Sequence, residues 1–207
     1  MLLTEVPEMF GAEQVLMDRC ADAATFDALV AMVNDFKEYF LRHGQPVYEN
    51  PSPGNKAGGL TTLEEKSLGA VQKGGRAPVH AVLRYGEPVG ASHGGLALLE
   101  GPGNDGVSCT AMTASGATML LFTTGRGTPL GFPVPTLKVS SNSAIAAKKP
   151  HWIDFDAGRL LSGATSLDAM ADDLLARVLD CASGRAPANN ERHGYREIAI
   201  WKGGVTL

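Results

Sequence analysis

The sequence predicts an α/β domain with a mainly parallel sheet, and three observations carry that reading. Strand-like stretches alternate with helical periodicities along the chain. Thr118 to Thr123 is a continuous apolar run, the pattern of a strand buried on both faces. Of the 25 glycines, twelve gather in GNKAGG, QKGG, SHGG, GPGND and TGRGTPLG, as expected for tight turns at strand ends, where the backbone needs positive φ or a close approach. No internal repeat or low-complexity linker interrupts the 207 residues, so one domain is expected over 1-207.

The elements follow in order. Leu2 to Val6 is a short apolar strand stopped by Pro7; a strand opening so close to Met1 suggests that something upstream has been cut away. Ala24 to His43 is an amphipathic helix, with Phe26, Leu29, Val30, Val33, Phe36 and Phe40 on one face and Gly44 as its stop. Gln45 to Gly59, dense in Pro, Asn and Gly, is a loop. Thr61-Thr62-Leu63-Glu64-Glu65 offers two overlapping Thr-x-x-Glu capping boxes, and that helix runs towards Gly74. Val79 to Leu83 and Leu96 to Leu99 are strands, and Asp105 to Gly116 is a helix of small residues suited to close packing under a sheet. After Thr118 to Thr123 comes a strand at Thr136 to Val139. Thr165-x-x-Asp168 caps a last long helix that turns Leu167, Met170, Leu174, Val178 and Cys181 inward and ends at Gly184, and Arg196 to Trp201 is a closing strand.

Composition narrows the function classes. With 44% hydrophobic and 19% charged residues the chain can bury a core and is not disordered as a whole. The net charge of -4 and the scattered Lys and Arg show no basic stripe, which argues against a nucleic-acid partner. No apolar run approaches the roughly 20 residues needed to span a bilayer, so no membrane partner is expected. Cys20, Cys109 and Cys181 are widely spaced and suit a reducing cytoplasm. Cys109 and Cys181 read as small buried hydrophobes. The start MLLTEVPEMF lacks the basic residues and cleavage site of a signal peptide.

Three segments can carry chemistry. In the first, Glu5, Glu8 and Glu13 lie just past a strand end, where open α/β sheets place ligands, and carboxylates there bind a hard cation or take a proton. The plainer alternative puts Glu8 and Glu13 in the solvated first turn of a helix. The second, Glu49 to Gly59, is stiffened by prolines and opened by glycines, and it feeds a capped helix N-terminus. Its Asn50, Asn55 and Lys56 can hold hydroxyls and a carboxylate, or be incidental loop residues. In the third, Thr123-Thr124-Gly125-Arg126-Gly127-Thr128-Pro129, Arg126 sits between two glycines and matches a planar carboxylate. A plain strand-to-loop turn is the alternative. That loop is neither a Walker A nor a Rossmann fingerprint, which disfavours an NAD-type dehydrogenase. Asp105 reads as a helix N-cap. His43, His80, His93, His151 and His193 show no paired ligand spacing.

Read together, these segments resemble the altronate/galactarate dehydratase family. The matching stretches are Leu-Thr-Glu-Val-Pro-Glu with Gly-Ala-Glu, then ENPSPGNKAGGLTTLEEKSLGAVQKGG, LFTTGRGTP, VPTLKVSSN and NNERHGYREIAIWKGGVTL. The resemblance is closest on the altronate side of the family, at ENPSPGNK and REIAI. It implies a Rossmann-like three-layer domain corresponding to the family's C-terminal catalytic portion, without the N-terminal β-clip (SAF) domain and central dimerising region that make the full-length enzyme a homodimer. At Ala70 altronate-type relatives often carry Cys, so no thiolate or iron–sulfur role is carried over to that position.

The implied reaction is loss of water from an aldonate to give a 2-keto-3-deoxy sugar acid, with Fe2+ or Mn2+ as the divalent metal. A base removes the C2 proton, an acid assists the 3-hydroxyl, and a metal chelated by the substrate stabilises the enediolate. By that resemblance Glu5 and Glu8 stand near the metal. Asn50, Asn55, Lys56, Thr124 and Arg126 hold the substrate, and Lys66 or Glu64 is the base, with a solvated salt bridge on the helix as the other reading. The competing function is a catalytically incompetent fragment that binds a sugar acid or metal without turning it over. A shared site further requires the strands Leu2–Val6 and Thr118–Thr123 to lie parallel and close in one sheet.

Overall fold

The computed structural model describes residues 1–90 and 94–203. The α/β class and the parallel strand pairing are observed, but the strands divide between two three-stranded sheets. Each sheet belongs to its own compact unit. One is Met1–Gly116 with the segment that begins at Ile200, and the other is Ala117–Ala199.

In the first unit β1 (Leu2–Leu3) leads into a 3-10 turn (Val6–Met9), followed by α1 (Glu13–Met17), α2 (Ala23–Arg42), α3 (Pro53–Ala57), α4 (Leu63–Gln72), β2 (Val79–Leu83), β3 (Leu96–Leu99) and α5 (Asp105–Ala114). The sheet order is β1-β3-β2, with Leu2 opposite Ala97 and Leu83 opposite Leu99. Central β3 is buried along its whole length. Leu96 and Leu98 enter the core formed with Phe10, Leu29 and Phe36, while Ala97 and Leu99 pack with Ala81 and Ala111 of α5. The alternation of side chains along a strand divides β3 between these two cores.

Several expectations are corrected here. The first strand ends at Leu3, because Pro7 and the left-handed Glu5 (φ 68°) start a 3-10 turn instead of extending it. Helix α2 is capped by Asp22 and buries Leu29, Met32, Val33 and Phe36, whereas Phe26 is 40% exposed on its first turn. The Gln45–Gly59 stretch is not wholly loop, since Pro53 at its start sets φ for the short helix α3. Of the two capping boxes only the first half of the second forms: Thr62 Oγ1 accepts from Glu65 N at 3.1 Å, while the Glu65 carboxylate reaches one residue past the N-cap to Thr61 N at 2.9 Å. Helix α5 is capped by Asn104, not Asp105. The SHGG cluster and the end of the chain are only partly covered, and His93 lies outside the described residues.

The second unit contains β4 (Leu120–Thr124), β5 (Thr136–Ser140), α6 (Ser143–Lys148), β6 (Phe155–Asp156), a 3-10 turn (Ala157–Leu160), α7 (Leu167–Ala182) and α8 (Asn189–His193). Its order is β4-β5-β6, so β4 is an edge strand and the expectation that it is buried on both faces fails: Leu121 is 53% exposed. The doubly buried strand is β5, whose Leu137 and Val139 enter apolar clusters while Thr136, Lys138 and Ser140 are buried polar residues. Helix α7 is capped by Ser166 and turns Met170 and Cys181 inward, leaving Leu167 67% exposed. Arg196 to Trp201 is not a strand: Ile198 and Ile200 are 66% and 72% exposed, and Glu197 makes one main-chain bond to Gly131 rather than a ladder. The strand that precedes Glu5 and the strand that carries Thr124 lie in different sheets, which overturns the single-sheet arrangement.

Candidate active site

The first unit gathers a polar cluster where β1 and β3 end side by side. Being parallel neighbours, they release their following loops at the same sheet edge. Thr4 Oγ1 donates to Leu99 O at 2.9 Å, and Val6 N donates to Gly101 O at 3.0 Å. A Cβ on Gly101 would lie 2.7 Å from Thr4 Oγ1, so glycine is what lets the two loops touch. Between those anchors Glu5 is held at φ 68°, the one non-glycine residue with positive φ among those described. An L-residue in that region costs about 1–2 kcal/mol, strain that the flanking bonds maintain.

Glu8, one turn on, is fixed by two partners. Its Oε1 accepts from Asn50 Nδ2 at 3.1 Å, and Lys66 Nζ lies 3.1 Å from Oε2. Lys66 Nζ also donates to Asn50 Oδ1 at 2.8 Å, closing a three-residue network in which both charged side chains are more than four-fifths buried. The solvated-turn reading therefore fails for Glu8. Glu13 does open α1, but it is ion-paired with Lys37 at 2.7 Å.

The electrostatics centre on Glu5. Burial, then the charges of Glu8 and Asp105, push its carboxyl up from 4.5 to about 7, against smaller opposing effects of Lys73 and Lys66. Burial also raises Asp105, and it pushes the Cys109 thiol up to about 12 beside Glu5 and Asp105. Asp105, Lys73 and Cys109 are members of this neighbourhood that sequence reasoning passed over. The signal was available for Asp105: GPGND follows β3 as TEVPE follows β1.

Other predicted residues fall elsewhere. Glu64 is exposed on α4, with its Cγ 3.1 Å from where a Cβ on Gly11 would stand. Asn55 accepts from Ser52 Oγ at 2.8 Å within its own short helix, and Lys56 is exposed. Thr124 and Arg126 belong to the second unit. There Thr124 Oγ1 accepts from Gly127 N at 2.9 Å, and Arg126 is exposed at the tip of the turn.

Carboxylate oxygens suit a hard divalent ion such as Mn2+, and a cation beside Glu5 and Glu8 would relieve the repulsion and desolvation that raise Glu5. Glu8 is already engaged by Asn50 and Lys66, and among the described residues no group of three or more His, Cys, Asp or Glu side chains is arranged to hold a metal.

The family model described as D-galactarate/Altronate dehydratase, C-terminal, matches residues 1–206. The chain belongs to this dehydratase family. It is 57% identical over 206 residues to an altronate dehydratase of Escherichia coli (strain K12) and 52% identical to one of Bacillus subtilis (strain 168), each match covering 100% of this chain. Similarity to the galactarate dehydratase (L-threo-forming) of Escherichia coli is weaker, at 31% over 202 residues covering 97% of this chain. The chain spans 41% of the length of each altronate dehydratase and 38% of the galactarate dehydratase. Among the described residues no helix is long and apolar enough to cross a membrane.

Proposed function

We propose that this chain is the catalytic portion of a hydro-lyase that converts an altronate-like aldonate to a 2-keto-3-deoxy sugar acid with Fe2+ or Mn2+. The observation that carries the reading is Glu5: a carboxyl raised to about 7 by burial and by Glu8, in a strained backbone, is a place that calls for positive charge. The similarity to altronate dehydratases supports the substrate class. When bound, the cation would take oxygens of Glu5 and Glu8 and stabilise negative charge developing on the substrate carboxylate.

The chain's own residues supply the rest. Asn50 and Lys66 hold Glu8 in one orientation, so the ligand set is preorganised. Lys66 is the acid–base group of this reading, because its bonds to Glu8 and Asn50 fix where it presents or receives a proton. Glu64, exposed outside the network, is set aside. Within the first unit Asn55 and Lys56 offer donors for hydroxyls; in the second unit, taken by itself, Arg126 offers a planar fork for a sugar-acid carboxylate and Thr124 a hydroxyl.

Incubating the chain with altronate and Mn2+ or Fe2+, and scoring 2-keto-3-deoxy acid, tests the proposal. Product from the wild type and a loss of about 10²-fold or more in Lys66→Met supports it, the scale of a lost acid–base group. No product, or equal product from the variant, refutes it. Turnover of about 1–10³ s⁻¹ would dispose of the incompetent-fragment alternative.

A further inference from the structure

Lys138 lies at the centre of β5 with none of its surface exposed, a position where leucine would fill the core without the cost of burying a charge. What the lysine does that leucine cannot is collect carbonyls. Its Nζ donates to Thr128 O at 3.1 Å, Pro129 O at 3.2 Å and Leu130 O at 2.8 Å, so all three ammonium protons have acceptors. The Tyr195 ring stands 5.8 Å from the same nitrogen. These carbonyls belong to the connection between β4 and β5, the segment that begins at Gly125 and Arg126.

That connection has no ladder of its own, and its backbone groups must be satisfied some other way. Its second half is held by Asn190, which donates to Phe132 O and Val134 O at 3.1 Å each, and by Glu197, which accepts from Gly131 N at 2.8 Å. Its first half, next to Arg126, is held by Lys138. Local turns complete it: Gly127 N to Thr124 Oγ1 at 2.9 Å and Leu130 N to Thr128 Oγ1 at 3.2 Å.

We propose that Lys138 is a positioning residue, whose buried ammonium grips the carbonyls of residues 128–130 and thereby sets the shape in which the loop presents Thr124 and Arg126 to a sugar-acid carboxylate. The inference rests on the reading of those two residues as substrate contacts. Burial lowers the pKa of Lys138, opposed by the carboxylates of Asp154 and Glu197; Asp154 accepts from the Lys138 main-chain N at 2.9 Å and pairs with Arg177, and the Tyr195 ring stands beside the ammonium.

The test is amide hydrogen exchange across residues 125–131 together with altronate affinity, in wild type, Lys138→Met and Arg126→Lys. Lys138→Met should speed exchange in the loop by about 10-fold or more relative to Leu137 and Val139, and weaken altronate by about 10-fold, one lost charged hydrogen-bond set. Unchanged loop exchange overturns the proposal. So does faster exchange with unchanged affinity where Arg126→Lys does weaken binding. If Arg126→Lys has no effect, the substrate reading of the loop fails, and the exchange data still decide whether Lys138 holds it. Should Lys138→Met not fold, Lys138→Gln decides: it keeps at most two N–H donors where the ammonium has three, so exchange across residues 125–131 should rise relative to Leu137 and Val139, and unchanged loop exchange overturns the proposal.

Discussion

Glu5→Gln should stabilise the metal-free protein at alkaline pH and leave it unchanged in acid. A carboxyl whose pKa is raised in the folded state, here from 4.5 to about 7, binds its proton more tightly folded than unfolded. Between those two values the folded state progressively loses stability as pH rises, and the full penalty is present above the folded pKa. At 1.36 kcal/mol per pKa unit the ceiling is about 3 kcal/mol, and residual contact with water reduces it to roughly 2 kcal/mol. Glutamine keeps the size and the left-handed backbone but carries no charge, so the variant should gain that amount at about pH 8 and nothing near pH 4. In a chain of this length 2 kcal/mol corresponds to a Tm rise of roughly 4–8 °C. Urea and thermal denaturation in the presence of a chelator, at both pH values, measure it. A gain of equal size at both, or none at alkaline pH, would refute the argument that Glu5 is buried against like charge.

Further outcomes follow from individual contacts. Arg126→Lys keeps the charge but loses the fork, and should weaken altronate binding by about 1.5–3 kcal/mol with Tm unchanged; calorimetric titration and melting check both halves. Gly101→Ala places a methyl 2.7 Å from Thr4 Oγ1 and should cost about 1–3 kcal/mol by overpacking, read from urea unfolding. Asn190→Ala leaves Thr136 N and Phe132 O without the amide that pairs them, while Val134 O keeps Thr136 Oγ1. At about 1–3 kcal/mol for such a loss, its denaturation midpoint should fall, and an unaltered midpoint would show that water replaces the amide.

The regular elements were legible because they rest on local signals. Val79–Leu83 and Leu96–Leu99 were read with their observed bounds, and the helix ending at Gly44 was read to within a residue. Caps were less legible where two candidates adjoin: Asn104 beside Asp105, and Thr165 beside Ser166, where the observed cap hydrogen bond comes from Asn104 and from Ser166. Burial across a sheet is not a local property. Thr118–Thr123 looks more apolar than Thr136–Ser140, yet β5 is central because it has β4 and β6 on either side, and its buried lysine disguises it. Of the candidate site, Glu5, Glu8 and Asn50 were named from their segments and Lys66 through the family resemblance, and Glu8, Asn50 and Lys66 bond directly. Asp105 was passed over although GPGND follows β3 as TEVPE follows β1, and Cys109 was missed because its proximity to Glu5 depends on β1 pairing with β3, a long-range register that no spacing in the chain encodes.

Titration of the chain with Mn2+, followed by calorimetry or by the loss of the free-ion resonance signal, tests the central claim most directly. The account predicts saturable binding that is weakened on the order of 10–100-fold, the scale for altered metal-site residues, in Glu8→Gln, and abolished when Glu5→Gln is combined with it. Mn2+ binding that is absent in the wild type, or unchanged in the double variant, would contradict the account.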